Sequence, residues 1–340
     1  MRRPVLLFAA AAFALASCSG GTPNGGSSTT ADPSASPSPA AQVTHAIHVS
    51  RDVAYMDEPE GGPGTSLLDV YYPKDEGPWP LVVMLHGGGG TKRDQSALAA
   101  AAAKRGAVVF VPTWSRMDSE IVEASSSREL RAKLGAAIGD VAAAVRFARG
   151  TATSYGGDPE RLTLFGFSYG AMGATMDAFT GARPAKSGLR GAGSTIPESL
   201  VVFDGDYLNA TLPDEALARD PRLMGLTTPW KYLGQRVDFP ITVINSGDLS
   251  LGRDVPDAWA KDSWLAVRDP SGELRRGLEQ LGALENGFYF NEDGLKLFAE
   301  RLREAGDTVN FVSLTDSQHT YQSEKDVETI LDAIVPYPQP

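Results

Sequence analysis

The sequence predicts an α/β fold, a mostly parallel central sheet with helices on both faces, and three observations carry that prediction. Short runs of consecutive apolar residues recur along the chain, as expected of strands covered on both faces. Stretches with apolar residues at helical spacing lie between them, so successive strands are joined by crossovers and run parallel. Apolar residues are 42% and charged residues 21% of the 340, the balance of a chain with a real core.

Ile47–Tyr55 and Leu67–Tyr72 are short β-rich runs separated by a turn region, Pro59–Gly64. Leu81–Leu85 is a continuous apolar run and reads as a buried strand. The alanine-rich Ser96–Arg105 is helical and closed by Gly106, and Ala107–Val111 is the next buried strand. Arg128–Arg149 is a long helix with apolar positions at Leu130, Leu134, Ile138, Val141, Val145 and Phe147. Gly157-Asp158-Pro159 predicts a turn into a strand at Arg161–Phe165. Further strands are predicted at Leu200–Phe203, Ile241–Asn245 and Val309–Leu314, with helices at Glu292–Ala305 and Glu324–Ile334.

The chain before this body has a different composition. Met1-Arg2-Arg3 is a basic start, and the alanine-rich run from Val5 to Ser17 suits a signal segment while being too short to span a bilayer. It ends in Leu15-Ala16-Ser17-Cys18, which resembles a bacterial lipobox. That resemblance implies cleavage after residue 17, acylation of Cys18, export, and anchoring to the outer face of the cytoplasmic membrane. From Ser19 to Gln42 no apolar side chain is larger than Ala, so residues 18–42 read as a flexible linker and residues 43–340 as the folded domain.

Composition excludes several function classes. Acidic residues outnumber basic ones 42 to 31, a net charge of −11, which argues against nucleic acid as a partner because phosphate contacts need clustered cations. A single cysteine rules out an intrachain disulfide framework and a Cys-rich zinc site. His45 and His48 have no third ligand nearby, so no metal is expected there and both read as surface residues.

The chemistry concentrates at a few positions. Gly166-Phe167-Ser168-Tyr169-Gly170 fits G-x-S-x-G, directly after a buried strand and before a helix of small residues. So tight a turn strains the serine backbone and leaves no room for flanking side chains, hence glycine on both sides. It presents the Ser168 hydroxyl at the carboxyl edge of the sheet, near the positive end of a helix. His86-Gly87-Gly88-Gly89-Gly90 follows the Leu81–Leu85 strand, and consecutive glycines let backbone N–H groups approach a developing anion. A donor from Gly88 or Gly89, with the N–H of Tyr169, would form an oxyanion hole. A phosphate loop is excluded because Gly90-Thr91-Lys92 has the wrong order.

A serine hydroxyl needs a base. Of the four histidines, His45 and His48 sit beside the linker and His86 braces the glycine loop, which leaves His319, in a loop after the last strand. The third member orients the imidazole and stabilises its charged form. Asp248, three residues past the Ile241–Asn245 strand, is the first choice, with Asp254, Asp206 and Asp257 as alternatives.

These motifs resemble the α/β-hydrolase superfamily, and within it exported esterases and lipases of the HGGG type. The resemblance runs from about Leu67 to the end of the chain, through the glycine loop, Asp158-Pro159-Glu160-Arg161, the Gly166–Gly170 elbow and the late His319. It implies the α/β-hydrolase fold and a serine hydrolase that forms an acyl-enzyme on ester substrates, without a cofactor. Two features depart from the pattern. Where family members often carry G-x-x-D, the slot counted from Gly247 holds Ser250. Segments 204–236 and 249–290, with Trp230, Tyr232, Trp259, Trp264, Phe288, Tyr289 and Phe290, are longer than the core requires; they either cap the site or pack a small core of their own. The rivals are a serine peptidase of the same fold and a non-catalytic lipoprotein that binds a ligand in a retired hydrolase pocket.

Overall fold

The strand Trp79–Leu85 (β3) shows how the sheet divides the core. Leu81, Val83 and Leu85 belong to one apolar cluster and Val82 and Met84 to the other, as the two-residue period of a strand dictates. In the computed structural model the described residues are 44–56, 66–114, 127–180, 194–205, 229–232, 236–247, 292–314, 317, 319–321 and 323–335.

Among them, eight strands form one sheet in the order β1-β2-β4-β3-β5-β6-β7-β8. The other strands are β1 (Ile47–Ala54), β2 (Leu67–Pro73), β4 (Val108–Pro112), β5 (Gly157–Phe167), β6 (Ser199–Phe203), β7 (Ile241–Asn245) and β8 (Val309–Ser313). From β4 onward every neighbouring pair is parallel, while β1 and β2 add an antiparallel edge. Helices α1 (Ser96–Lys104) and α5 (Glu324–Ile334) bury Leu98, Ala102, Ile330 and Leu331 on the face that holds Val82 and Met84. Helices α2 (Ser127–Thr151), α3 (Tyr169–Thr180) and α4 (Glu292–Glu304) bury Leu134, Val141, Met172 and Phe298 on the opposite face. The buried Arg105, just past α1, pairs with Glu328 and, at 2.6 Å, with Asp332, so charge as well as apolar burial joins α1 to α5.

The turn expected at Gly157-Asp158-Pro159 lies one residue earlier. Gly156, at φ 75°, makes it at the end of a short 3-10 helix, Ala152–Tyr155, and β5 already starts at Gly157. A Cβ on Gly157 would run into the Leu81 side chain, which is why the chain enters the sheet on a glycine. Among the described residues no helix is long and apolar enough to cross a membrane. The expected signal segment 1–17, Cys18, the linker to residue 42 and the extension 249–290 lie outside the described residues. Of the segment 204–236, the 3-10 helix Pro229–Tyr232 is described, and Tyr232 packs against the cluster shared with α3 rather than standing apart from the core.

Candidate active site

In a parallel sheet all strands end at one edge, where the loops after them converge. Neighbouring strands β3, β5, β6, β7 and β8 are followed by Gly87, Ser168, Asp204, Ser246 and the loop bearing His319. Residues far apart in sequence therefore arrive side by side for a topological reason.

Ser168 has φ 55°, and its backbone N–H donates to Phe203 O on the adjacent strand at 2.8 Å. The two glycines that flank the motif are required sterically. A Cβ on Gly166 would overlap the Gly170 carbonyl, and one on Gly170 would stand 2.6 Å from His86 O and 2.7 Å from Leu85 O. The elbow so formed brings the Ser168 hydroxyl 2.9 Å from His319 Nε2.

On the other side of the ring, His319 Nδ1 lies 3.2 Å from Asp204 Oδ2. A carboxylate only accepts, so Nδ1 carries the proton and Nε2 is left to accept from Ser168. Asp204 is 1% exposed, and its charge is met by donors: Ser246 N at 2.9 Å and Asn245 Nδ2 at 3.5 Å on Oδ1, and Ser246 Oγ at 2.5 Å on Oδ2. The backbone points to the same three residues independently. Among the described residues only Asp52, Ser168, Asp204 and His319 have positive φ without being glycine. Such conformations cost energy and persist where the surrounding structure enforces them.

The acid at the imidazole is thus Asp204, which the sequence reading assigned to the start of a cap segment. Asp248, Asp206, Asp254 and Asp257 lie outside the described residues. The physical reason for the difference is the strand order: β6 lies beside β5, so the residue that follows β6 directly is already within reach of the elbow. A signal was present in the sequence, since Asp204-Gly205 stands at the end of a buried run just as Ser168 does.

The glycine loop comes against the nucleophile through Gly87, where an added Cβ would stand 3.2 Å from the Ser168 Cβ and 3.3 Å from the Phe167 ring. Gly88 and Gly89 form the exposed turn that follows, closed by Gly90 N–H donating to Gly87 O at 3.2 Å. Tyr169 is the first residue of α3, so its amide belongs to the positive end of that helix. His86 supports the loop as expected: its Nδ1 donates to Gly87 O at 2.8 Å, and its Nε2 accepts from Trp114 N–H at 3.3 Å. Trp114, missed in the sequence, also donates its indole N–H to His86 O at 3.1 Å. Lys92 opens the short 3-10 helix that follows the glycine loop. It is 9% exposed and pairs with the buried Asp69 and, at 2.5 Å, with Asp52. That hydrogen bond holds the exposed Asp52 carboxyl below its ordinary range.

Phe167 packs its ring on His319, with centroids 4.9 Å apart. Tyr321 follows two residues later, and burial, with the Asp94 charge adding to it, pushes its hydroxyl up to about 12, so it stays a neutral phenol. His48 lies in the edge strand β1 and His45 two residues before it. His48 is exposed, whereas His45 departs from the surface reading: it is half-buried edge-on to Trp79, with Nδ1 2.6 Å from Asp75. Among the described residues no group of acids, histidines or cysteines is arranged to hold a metal.

A profile of the BD-FAE family matches residues 68–187. No curated protein matches the chain by sequence. Among solved structures, a bifunctional GH43-CE protein of Bacteroides eggerthii is similar at 17% identity and TM-score 0.55; the likeness covers 86% of this chain and 38% of that one. Esterase B from Lactobacillus rhamnosis is similar at 14% identity and TM-score 0.55, with 84% and 83% of the two chains covered. Thermogutta terrifontis esterase 2, with propionate bound, is similar at 16% identity and TM-score 0.51, with 89% and 99% covered. Sheet order, the elbow after β5 and these likenesses together establish that the chain has the α/β-hydrolase fold.

Proposed function

We propose that the chain is a serine hydrolase that cleaves carboxyl esters through an acyl-enzyme, with Ser168 as nucleophile, His319 as general base and acid, and Asp204 as the group that orients the imidazole. The observation that carries this reading is the unbroken line of hydrogen bonds from Ser168 through His319 to Asp204, drawn through three residues with left-handed backbone. The similarity to esterases points the same way.

In the first half of the cycle Ser168 Oγ attacks the acyl carbon as its proton passes to His319 Nε2. The carbonyl oxygen becomes an oxyanion, held by amides of the glycine loop, Gly88 or Gly89, and of Tyr169. The Ser168 amide is already engaged by Phe203 O, which favours the amide of Tyr169. His319 then protonates the leaving alkoxide and the acyl-enzyme remains. Water attacks it in the second half, giving its proton to His319, and the acid leaves as Ser168 recovers its proton.

Substitution of Ser168→Ala, assayed on a p-nitrophenyl ester chain-length series, is expected to cut turnover by roughly three orders of magnitude or more. A fluorophosphonate probe is expected to label the native protein and not the variant. Retained ester turnover by the variant would overturn the assignment. Turnover of peptides without esters would favour the peptidase, and a native protein that resists the probe would favour a non-catalytic binder.

The same proposal places the enzyme outside the cell, tethered through acyl chains on Cys18. Incorporation of labelled palmitate into the native chain, and its loss in Cys18→Ala, is the expected result; equal labelling of both would remove the tether.

A further inference from the structure

Ser246 follows β7 and is fully buried between the acid and the base. Its hydroxyl has one hydrogen, donated to Asp204 Oδ2 at 2.5 Å, and a lone pair, which accepts the backbone N–H of His319 at 2.6 Å. Its own N–H donates to Asp204 Oδ1 at 2.9 Å, and its carbonyl accepts from Ser317 N–H at 2.8 Å. Every polar atom of this residue thus engages either Asp204 or the loop bearing His319.

We propose that Ser246 is a positioning residue for catalysis: its hydroxyl couples the carboxylate of Asp204 to the backbone of His319 and so fixes the imidazole between acid and nucleophile. The inference rests on the triad reading above. Two physical consequences follow from the bonds. The bond to His319 N–H holds a residue at φ 58°, a conformation that a loop abandons when its restraint is lost. The bond to Oδ2 draws negative charge away from the oxygen that faces Nδ1. Without it the carboxylate presents more charge to the ring, and the imidazolium is favoured at a given pH.

The test compares Ser246→Ala with the hydroxyl-retaining Ser246→Thr, each normalised to sites titrated by a fluorophosphonate. In Ser246→Ala, kcat is expected to fall roughly tenfold with KM within about twofold, the size expected for a lost hydrogen bond to a charged group. The acid limb of its kcat profile is expected to move up by about half a pH unit. Ser246→Thr should restore both. Where Ser246→Ala does not fold, Ser246→Cys replaces it, since a thiol is a weak donor and the same displacement of the limb is expected. A native kcat and an unmoved acid limb in the hydroxyl-deficient variant would overturn the inference. So would a threonine variant with the same defects. Ser168→Ala, run alongside, separates the two levels: ester turnover surviving there sinks the triad itself, whereas its loss beside a native-like Ser246→Ala sinks only the role of Ser246.

Discussion

The ring of Phe167 lies 4.9 Å from the imidazole of His319 at a tilt of 33°, so the residue before the nucleophile packs against its base. The same ring touches Phe203 at 5.1 Å and lines the side of Gly87. Phe167→Ala is therefore expected to free the imidazole as well as open a gap. Aromatic pairs contribute about 0.5–1.5 kcal/mol beyond area, and truncating a half-buried Phe costs about 2 kcal/mol or more in stability. The expected result is a kcat lowered about tenfold, with Phe167→Tyr close to native. Urea unfolding and site-normalised kinetics on both variants check it; an alanine variant that unfolds earlier but turns over normally would assign Phe167 to packing alone.

The identity of the acid is open to direct comparison. Asp204→Asn keeps the shape but offers an amide where Nδ1 needs an acceptor, so the wrong tautomer is favoured and kcat should drop roughly a thousandfold or more. Asp248→Asn should stay within about twofold of native, because Asp204 already supplies the acceptor for Nδ1. Steady-state kinetics at neutral pH decide between them, and the reverse order of effects would return the acid to the loop after β7.

Two glycines of one helix separate a backbone constraint from a side-chain one. In Gly170→Ala the new methyl meets the carbonyls of His86 and Leu85, which belong to a sheet strand and its exit and cannot step aside. In Gly173→Ala it meets the Trp114 ring at 3.0 Å, a side chain that can shift by a few tenths of an ångström. Gly170→Ala should lose about 3 kcal/mol or more, as an overpacked core site does, and Gly173→Ala about 1 kcal/mol. Urea denaturation midpoints measure both. The milder variant should still show reduced activity, because Trp114 holds His86 and through it the glycine loop.

What could be read from the sequence, and what could not, follows from the range of the signals. Leu81–Leu85 and Leu200–Phe203 are legible because strands buried on both faces have no polar positions to confuse the run, and Ile241–Asn245 because four of its five residues are β-branched. Ser168 is legible because its turn demands glycine at fixed spacing, and His319 because so few histidines compete for its role. Asp204 is a different case. Its place directly after a buried run is the one local mark it carries; it is selected by following β6, the strand next to β5, with Ser246 and Asn245 arriving from β7 to meet its charge. Trp114 is likewise picked out only once β4 lies beside β3. Pairing across strands is set by the whole sheet, and spacing along the chain does not encode it.

Asp177 gives a prediction in which pH rather than substitution alone is the lever. It sits on the buried side of α3, 2% exposed, and its Oδ2 accepts no hydrogen bond among the described residues. Burial pushes its carboxyl up to about 7, although the Arg146 charge pulls it part of the way back. The folded protein therefore keeps a proton on Asp177 at pH values where the unfolded chain has released it. Stability attributable to this group is highest below the ordinary carboxylate range, falls as pH rises toward about 7, and stays low above that. Asp177→Asn mimics the protonated acid, so it should match the native protein near pH 4 and exceed it by on the order of 4 kcal/mol near pH 8. Urea unfolding of both proteins across that span gives the comparison. Parallel curves would mean that Asp177 is charged in the fold throughout, held by Arg146, and that burial does not control its proton.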